Sequence, residues 1–292
     1  MTEDQPGDST LELLDAHRTF FADLMTAIAG VPHSPLTAAF ASTPRERYLG
    51  PGPWKVYHGN GYTQTPTDDP TLLYQDIVVA LEEERGINNG QPSLHTRCLA
   101  ALDVREGENV VHVGAGVGYY TAILATLTST SGKVFAYEIG EELAQRAASN
   151  LAHLTHVTVV PRSGAEGTIP DSDAIYVTAG ATAPLDLWID ALRPSGRLLF
   201  PLTPSGSGGK LGLGNMLLVT RVAEEQFDAR FVCPAMFIPC IGGRDEDTAK
   251  KLAEAFRGGR TNKVRSLRRK TKPDETCWCS GKGWWLSTAE GA

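Results

Sequence analysis

The spacing of apolar residues divides the chain into two regions. Before residue 108, apolar residues recur at helical intervals, as in Phe21, Leu24, Met25 and Ile28, or stand between Gly- and Pro-rich loops. From residue 108 onwards, short apolar runs such as NVVHV, KVFAY and VTVV alternate with amphipathic stretches of about 10 to 15 residues. This alternation predicts βαβ units, and therefore a parallel sheet with helices on both faces.

Beyond Pro201 the pattern changes again. The runs MLLVTRV and ARFVCPAMFIPC have no long helix between them, which predicts an antiparallel edge. We therefore expect an α/β fold with a Rossmann-like, doubly wound and mostly parallel sheet. The predicted parts are N-terminal helices and covering loops in 1–107, a ligand-binding Rossmann-like domain in 108–245 and a basic, Trp-rich C-terminal extension in 246–292.

Two segments are harder to assign. LLYQDIVVALEEERG mixes apolar and acidic residues and fits a strand or a helix equally well. In the extension we expect a helix near 247–256, a basic linker around VRSLRRKTK and a hairpin in TCWCSGKGWWLST. Cys277 and Cys279 of the hairpin lack further ligands at metal-binding spacing, so a packing surface and no metal site is predicted. The extension's tryptophans are expected to form a covering patch or a dimer contact rather than a ligand cage.

Composition indicates a folded globular chain. Hydrophobic residues make up 41% and charged residues 21% of the 292 residues. No apolar run reaches the roughly 20 residues of a membrane span. The acidic start MTEDQPGDST does not resemble a signal peptide, so we expect a cytoplasmic protein with no membrane partner.

Charge is distributed unevenly along the chain. Residues 1–245 hold 16 Lys and Arg against 28 Asp and Glu, whereas residues 246–292 hold 11 against 6. An acidic body disfavours nucleic-acid binding, because phosphate neutralisation requires a positive surface. We expect the basic tail to face solvent or the protein's own acidic groups.

A glycine-rich turn follows the strand NVVHV. Gly114, Gly116 and Gly118 permit backbone conformations that other residues avoid, and they let the backbone approach a ligand closely. Glu138 ends the next strand and can accept both hydroxyls of a ribose. A nicotinamide cofactor would usually bring G-x-G-x-x-G, whereas Tyr119 stands at the position of the last glycine. The pattern fits an adenosyl ligand without a pyrophosphate, and we predict S-adenosylmethionine.

Several motifs, in the same order, resemble the protein-L-isoaspartate O-methyltransferase family over roughly residues 10–245. The similar segments are FASTPRERYLG, LYQD, GQPSLHTRCL, VVHVGAGVGYYTAILA, DAIYVTAGA, LRPSGRLLFPL and RFVCPAMFIPCIGG. The resemblance implies a class I S-adenosylmethionine-dependent methyltransferase that transfers methyl to a carboxylate, that of isoaspartyl residues in proteins or peptides. It also implies that the cofactor is held by His112, Gly114, Ala115, Gly116, Gly118, Glu138, Ala165, Glu166, Thr178 and Ala179.

The chain departs from the family pattern in three ways, one of which is the extension 246–292 beyond the common family core. His112 stands where the family has an acid that helps to orient the cofactor's ammonium group, and we favour a strand-packed histidine over a general base. Asn88-Asn89-Gly90 stands where the family has Thr-Ile-Ser in the acceptor site. The candidate acceptor-binding residues are Asn88, Asn89, Gly90, Gln91, Ser93 and His95, with helix N-capping as the alternative role, above all for Ser93.

Transfer to a carboxylate requires no general base, because the acceptor is already ionised at pH 7. We therefore predict no acid–base residue and attribute catalysis to alignment in a water-poor pocket. Two alternatives stay open: a methyltransferase of the same fold acting on another peptide or small-molecule carboxylate, and a non-catalytic cofactor-binding module recruited through its basic tail. The sequence leaves the oligomeric state open.

Overall fold

Helices α1 (Asp8–Ile28) and α2 (Pro35–Ser42) begin the first of two units into which the chain divides, residues 1–100 and 101–292. The structure is a computed structural model and describes residues 8–204 and 212–291. The further elements are α3 (Glu46–Leu49), β1 (Lys55–Tyr57), β2 (Tyr62–Gln64), β3 (Ala80–Glu82), β4 (Ile87–Asn88) and α4 (Pro92–Leu102), with β1–β2 and β3–β4 antiparallel.

Helix α1 packs through part of its apolar stripe. The ring of Phe21 meets that of Phe40 in α2 edge-on, with the centroids 6.2 Å apart. Met25 is fully buried, whereas Leu24 and Ile28 are 42% and 41% exposed. The predicted stripe is therefore wider than the surface that this helix buries.

Arg45 explains why the following segment is neither a long helix nor a strand. Its side chain is fully buried, and the guanidinium donates to the carbonyls of Leu73 (2.6 Å), Gln75 (3.1 Å) and Ile77 (2.7 Å). Three carbonyls that converge on one guanidinium fix the backbone in an irregular path that fits neither a helix nor an extended strand. LLYQDIVVALEEERG accordingly contains only 3-10 turns at Pro70–Leu73 and Glu83–Arg85 and the short strand β3.

In the described part of the second unit, ten strands form one sheet. Its parallel half has the order β7 (Val157–Val160), β6 (Lys133–Tyr137), β5 (Asn109–Val113), β8 (Ser172–Val177) and β9 (Leu192–Leu202). The connecting helices are α5 (Tyr119–Thr128), α6 (Glu141–Leu151) and α7 (Asp186–Asp190). The sheet then continues antiparallel through β10 (Gly212–Ala223) and β11 (Gln226–Phe237). The predicted Rossmann-like α/β fold with an antiparallel edge is confirmed.

Strand β5 shows how both faces of the sheet are covered. Val111 and Val113 belong to a buried cluster with Trp188 of α7. His112, which points to the opposite face, contacts Thr121 of α5. Helices therefore pack on both sides of the parallel half, as expected. Among the residues that the structure describes, no helix has the length and apolar character needed to cross a membrane.

The extension forms part of the same sheet. After α8 (Glu246–Arg257), strand β12 (Ser266–Arg269) pairs with β11 and with β14 (Trp284–Ser287), and β13 (Cys277–Gly281) pairs with β14. The predicted helix and hairpin are confirmed, but the predicted basic linker is wrong, because its centre is β12. A strand forms there because Leu267 is buried and Arg269 has acidic partners that neutralise it.

The basic run is engaged by the protein's own acidic groups. Arg269 donates to Asp190 (2.7 Å) and Asp186 (2.9 Å), and Lys270 contacts Glu225 at 2.9 Å. Arg268 lies over the ring of Trp285, 5.7 Å from its centroid. The expectation that the tail contacts the acidic body is thereby confirmed.

The tryptophans of the extension cover the end of the sheet. Trp278 packs edge-on against Phe231 and Phe256, each at 5.2 Å between centroids. Trp284 and Trp285 are buried as well. Burial raises the pKa of the neighbouring Cys279 thiol to about 12, so this group stays protonated at neutral pH. The covering patch predicted from the sequence is thus an intramolecular one.

Candidate functional site

The glycine loop between β5 and α5 is held by backbone contacts to the next strand. The N–H groups of Gly114 and Ala115 both donate to the carbonyl of Tyr137, at 2.8 and 3.0 Å. Gly114 has φ +84°, and a Cβ there would lie 2.8 Å from Oγ1 of Thr178. A side chain at this position would therefore be strained twice, by its backbone angle and by its neighbour. The loop's first residue has to be glycine.

Glu138 joins two loops through its buried carboxylate. Oε2 accepts the N–H of Gly116 at 2.7 Å, and Oε1 accepts the N–H of Gly140 at 2.8 Å. The side chain is only 8% exposed. Charge-assisted hydrogen bonds of this kind hold a carboxylate in one orientation. The group stands at the carboxyl end of β6, where open α/β sheets bind ligands, and its chemistry suits a diol.

Thr178 and Ala179 follow β8 at the same edge of the sheet. Oγ1 of Thr178 donates to the carbonyls of Val113 (3.0 Å) and Gly114 (2.7 Å), so it ties β8 to the start of the glycine loop. The next residue, Gly180, donates to the carbonyl of Ile238 at 2.7 Å. Both predicted residues are half-buried and lie beside the loop.

Ala165 and Glu166 lie in a turn that follows β7. Ala165 is buried and donates its N–H to Oγ of Ser163 at 3.1 Å, whereas the Glu166 side chain is exposed. Arg162 stacks over the ring of Tyr137 at 4.8 Å and donates to the carbonyl of Glu166 at 2.6 Å. These contacts attach the turn to the strand that carries Glu138.

His112 is packed inside the sheet. Its ring stacks on Tyr176 of the neighbouring strand at 5.4 Å, Nδ1 lies 2.9 Å from Oγ1 of Thr121, and Nε2 is buried without a hydrogen-bond partner among the described residues. Burial lowers the pKa of His112 to about 3, so the ring is neutral. The packed histidine favoured from the sequence is what the structure has. A role toward the cofactor stays a prediction.

The acceptor candidates lie together in the first unit. The Oδ1 atom of Asn88 accepts the N–H of Gly90 at 2.9 Å. Asn89 is buried and is bound to Val79 twice, through its Oδ1 (2.8 Å) and its own N–H (3.0 Å). Both asparagines therefore shape the loop that leads into α4.

Asp76 organises the start of α4. Its Oδ1 accepts the N–H of Ser93 at 2.8 Å, and Oδ2 accepts both Oγ of Ser93 (2.6 Å) and Nε2 of Gln91 (2.8 Å). N-capping by Ser93, the alternative considered from the sequence, is wrong, because Ser93 lies inside the helix and Asp76 accepts its N–H.

His95 packs onto Gly90. Gly90 has φ +72°, and a Cβ on it would lie 2.1 Å from Nε2 of His95. The imidazole thus occupies the space that a side chain at position 90 would need. His95 itself is 3% exposed.

Three residues of interest were not among the predicted site residues. Asp76 is part of LYQD, but its partners lie 15 and 17 positions away, which spacing rules do not detect. Arg45 is part of Pro-Arg-Glu. It binds backbone carbonyls about 30 positions later in the chain, and no side-chain pattern in the sequence indicates such contacts. Ile139, beside Glu138, is 48% exposed. A large apolar side chain that is exposed beside a buried carboxylate is suited to contact with the flat face of an adenine ring. The signal for Ile139 was its place directly after the strand-ending acid.

Comparisons with known proteins agree on one family. The family model described as protein-L-isoaspartate(D-aspartate) O-methyltransferase matches residues 33–245. A protein-L-isoaspartate O-methyltransferase from Aeropyrum pernix is 30% identical over 199 residues, which are 66% of this chain and 74% of that protein. One from Methanocella arvoryzae is 40% identical over 142 residues, which are 47% of this chain and 74% of that protein.

Solved structures show the same fold. A protein-L-isoaspartate O-methyltransferase structure aligns with TM-score 0.63 and 21% identity, covering 82% of this chain and 69% of the other. A structure from Plasmodium falciparum, in complex with S-adenosyl-L-homocysteine, aligns with TM-score 0.60 and 15% identity, covering 77% and 98%. The chain belongs to the protein-L-isoaspartate O-methyltransferase family and is an S-adenosylmethionine-dependent methyltransferase.

Proposed function

We propose that this protein methylates the carboxylate of isoaspartyl residues in proteins or peptides. The observation that carries the proposal is that the family match, residues 33–245, contains both the acceptor segment 88–95 and the loop organised by Glu138. The proposal keeps three functional parts: covering helices and loops in 1–107, the cofactor-binding domain in 108–245 and the extension in 246–292.

The residues at the carboxyl edge of the second unit's sheet fit S-adenosylmethionine. Gly114, Ala115, Gly116 and Gly118 would flank its methionine part, and Glu138 would accept the ribose hydroxyls. Ile139, Ala165 and Glu166 would border the adenine, and Thr178 and Ala179 would line the floor. When bound, the cofactor supplies an electrophilic methyl group on a sulfonium.

The acceptor side needs to position an anion rather than to remove a proton. A carboxylate is ionised at pH 7, so its oxygen is already nucleophilic. At the start of α4, Gln91 and Ser93 already donate to the carboxylate of Asp76, so the proposal assigns the acceptor's charge to the remaining polar groups of the segment 88–95. These residues hold the acceptor and exclude water, and the rate gain comes from alignment.

Methylation of an isoaspartyl residue prepares a repair step, and we include this step in the proposal. The ester carbonyl is attacked by the next backbone nitrogen, methanol leaves, and the resulting succinimide hydrolyses partly to a normal aspartyl residue. We place this activity in the cytoplasm, supported by five free cysteines, of which Cys98, Cys240 and Cys279 are buried.

The test is transfer of labelled methyl from S-adenosylmethionine to an isoaspartyl peptide, with its normal aspartyl twin as the matched control. We expect base-labile label on the isoaspartyl peptide alone. Label on both peptides, or on neither while S-adenosylhomocysteine still binds, would contradict the isoaspartyl assignment. The second outcome would favour another peptide or small-molecule carboxylate as acceptor.

Removal of residues 246–292 distinguishes two roles of the extension, one in folding and one in recruiting a partner. Because β12 and β14 extend the sheet and Arg269 pairs with Asp186 and Asp190, we expect the truncated chain not to fold. A folded truncation that methylates peptides normally but loses a partner would instead support recruitment.

A further inference from the structure

A groove in the C-terminal extension lies between helix α8 and strand β13. Its volume is about 360 Å³, which is within the range of ligand-binding clefts. All the residues that line it belong to the segment 251–280, and none of them belongs to the glycine loop or to the segment before α4. We name it the extension groove.

Strand β13 forms one edge of the ten-stranded sheet. One of its sides pairs with β14, and no other strand pairs with it in the part of the chain that the structure describes. The strand residues that line the groove are Cys277, Trp278, Cys279 and Ser280. Because successive side chains of a strand point to opposite faces, a groove bordered by four consecutive residues follows the edge of the strand. An edge presents backbone N–H and C=O groups that can bind a further strand.

The edge is suited to a short segment. Strand β13 has five residues, and its pairing with β14 is interrupted by a bulge between Cys277 and Cys279. Short length and bulges are the features by which sheet edges avoid unlimited pairing with other chains. The strand can therefore accept a few residues of a peptide, but not a long sheet.

Trp278 joins the two sides of the groove. Its Nε1 donates to the carbonyl of Gly259, beyond the end of α8, at 2.9 Å. The ring packs edge-on against Phe231 and Phe256, and the side chain is only 8% exposed. The groove is thus fixed before any ligand binds, which reduces the entropic cost of binding.

Gly258 and Gly259 leave the groove open at the end of α8. A Cβ on Gly259 would meet no atom within 4 Å, and one on Gly258 would make only ordinary contacts, at 3.4 Å and 3.6 Å to two carbonyl oxygens of α8. Gly258 has φ −68°, so other residues fit its backbone conformation. A larger side chain at position 258 would therefore narrow the groove without straining the fold.

Cations outnumber acids in the groove. Lys251 and Arg260 are exposed, and neither forms an ion pair within residues 8–204 and 212–291, whereas Lys250 on the same helix pairs with Asp247. Glu254 is the one acid among the described residues that line the groove. This balance favours a partner with negative charge.

We propose that an extended acidic peptide segment of a partner protein docks in the extension groove as an added strand beside β13. Its backbone binds the open edge, and its carboxylates lie near Lys251 and Arg260. In this mode of recognition main-chain hydrogen bonds supply affinity and side-chain contacts supply specificity. The occupant is a peptide rather than a small acid, because only a peptide backbone can pair along the edge. The docking does not depend on the proposed methyl transfer, since every residue of the groove belongs to the extension.

The test is fluorescence anisotropy of a labelled peptide, acetyl-Glu-Val-Glu-Val-Glu-amide, with the full-length protein. We expect saturable binding with a Kd below about 1 mM. Two matched peptides should not bind: one carries Lys in place of Glu, and the other keeps the acids but is N-methylated at every peptide nitrogen, so it cannot add to a sheet. Absence of binding by the acidic peptide, or equal binding by either matched peptide, would overturn the proposal.

Two variants locate the site. Lys251→Glu combined with Arg260→Glu should raise the Kd by roughly 10-fold or more, because two attractive charges become repulsive. Lys263→Glu, at an exposed position that does not line the groove, should leave the Kd unchanged. Gly258→Trp should abolish binding by filling the groove, whereas Gly258→Ala should retain it. An unchanged Kd in the charge variant or in Gly258→Trp would contradict the assignment.

Hydrogen exchange of the wild-type protein provides a measurement that needs no variant to fold. The backbone amides of β13 should exchange more slowly when the acidic peptide is present, and unchanged exchange would overturn strand addition. A protein that binds the peptide but methylates no isoaspartyl substrate would contradict the proposed function alone. Active enzyme without peptide binding would contradict the docking alone.

Discussion

The glycine loop after β5, which we propose binds the cofactor, and the segment before α4, which we propose binds the acceptor, are organised in the same way, each around one carboxylate. Glu138 accepts the N–H groups of Gly116 and Gly140, and Asp76 accepts that of Ser93. The surroundings of the two acids differ. Glu138 is 8% exposed and joins two loops of backbone, whereas Asp76 is exposed and also holds the side chains of Ser93 and Gln91.

The two regions also differ in what constrains their residues. In the cofactor loop, backbone contacts and the close approach of Thr178 to Gly114 leave no room for other residues. In the segment before α4, side chains hold one another: Asp76 binds Ser93 and Gln91, and the ring of His95 occupies the space beside Gly90.

The largest effect is expected at the buried carboxylate. Glu138→Ala removes a charged hydrogen-bond acceptor from the proposed cofactor site, so the binding of S-adenosylhomocysteine should weaken by about 1–3 kcal/mol, or roughly 5- to 150-fold in Kd. Isothermal titration calorimetry measures this directly. Glu142→Ala, an exposed acid in the first turn of α6, is the control and should not change the Kd. Equal affinities of wild type and Glu138→Ala would remove Glu138 from the site.

Next in size is the pH dependence contributed by His112. Its pKa is about 3 in the folded protein because of burial and about 6.5 when unfolded. Between these values the unfolded chain binds a proton that the folded one does not, so stability is lost as the pH falls below about 6.5. From pH 7 to pH 5 the loss should reach about 2 kcal/mol.

Urea unfolding at the two pH values checks this prediction. His112→Gln should lose about 2 kcal/mol less than the wild type over the same interval. His153→Gln, at an exposed position, should behave like the wild type. If His112→Gln showed the same acid sensitivity as the wild type, the buried ring would not be neutral.

A smaller effect is expected at the exposed carboxylate. Asp76→Asn weakens the hydrogen bonds that begin α4, at a cost of about 1 kcal/mol. The specificity constant for an isoaspartyl peptide should fall several-fold, while the Kd for S-adenosylhomocysteine stays constant. Asp171→Asn, at another exposed acid, serves as the control. A loss of S-adenosylhomocysteine affinity in Asp76→Asn would contradict the expectation that this carboxylate affects the peptide substrate and not the cofactor.

An effect of similar size, on stability alone, is expected at Thr178. Thr178→Val keeps the shape but removes the hydroxyl that donates to the carbonyls of Val113 and Gly114, which should reduce the free energy of unfolding by about 0.5–1.5 kcal/mol. Chemical denaturation provides the value, and Thr168→Val at an exposed position is the comparison. No change in stability would show that the hydroxyl does not hold the loop.

Much of the fold, and the geometry of the glycine loop, could be predicted from local pattern. The strands β5 to β9 follow from short apolar runs, and the glycine loop and Glu138 follow from spacing. The segment around Asp76 could not be predicted, because the carbonyls there bind Arg45, about 30 positions earlier in the chain. Strand β12 was missed because its charge resembles that of a solvated linker, whereas in the fold Asp186, Asp190 and Glu225 neutralise the buried Arg269.

The sequence by itself determined the α/β class, the glycine loop, the acid at the end of β6 and the family resemblance, because these depend on periodicity and on residues close together in the chain. The tertiary structure decided which end of Asn89 is bound, that His95 fills the space beside Gly90 and that the basic tail joins the sheet. These features depend on contacts between residues that are distant in the chain. The folded chain determines the available volume and the hydrogen-bond partners, and no periodic sequence pattern reports them.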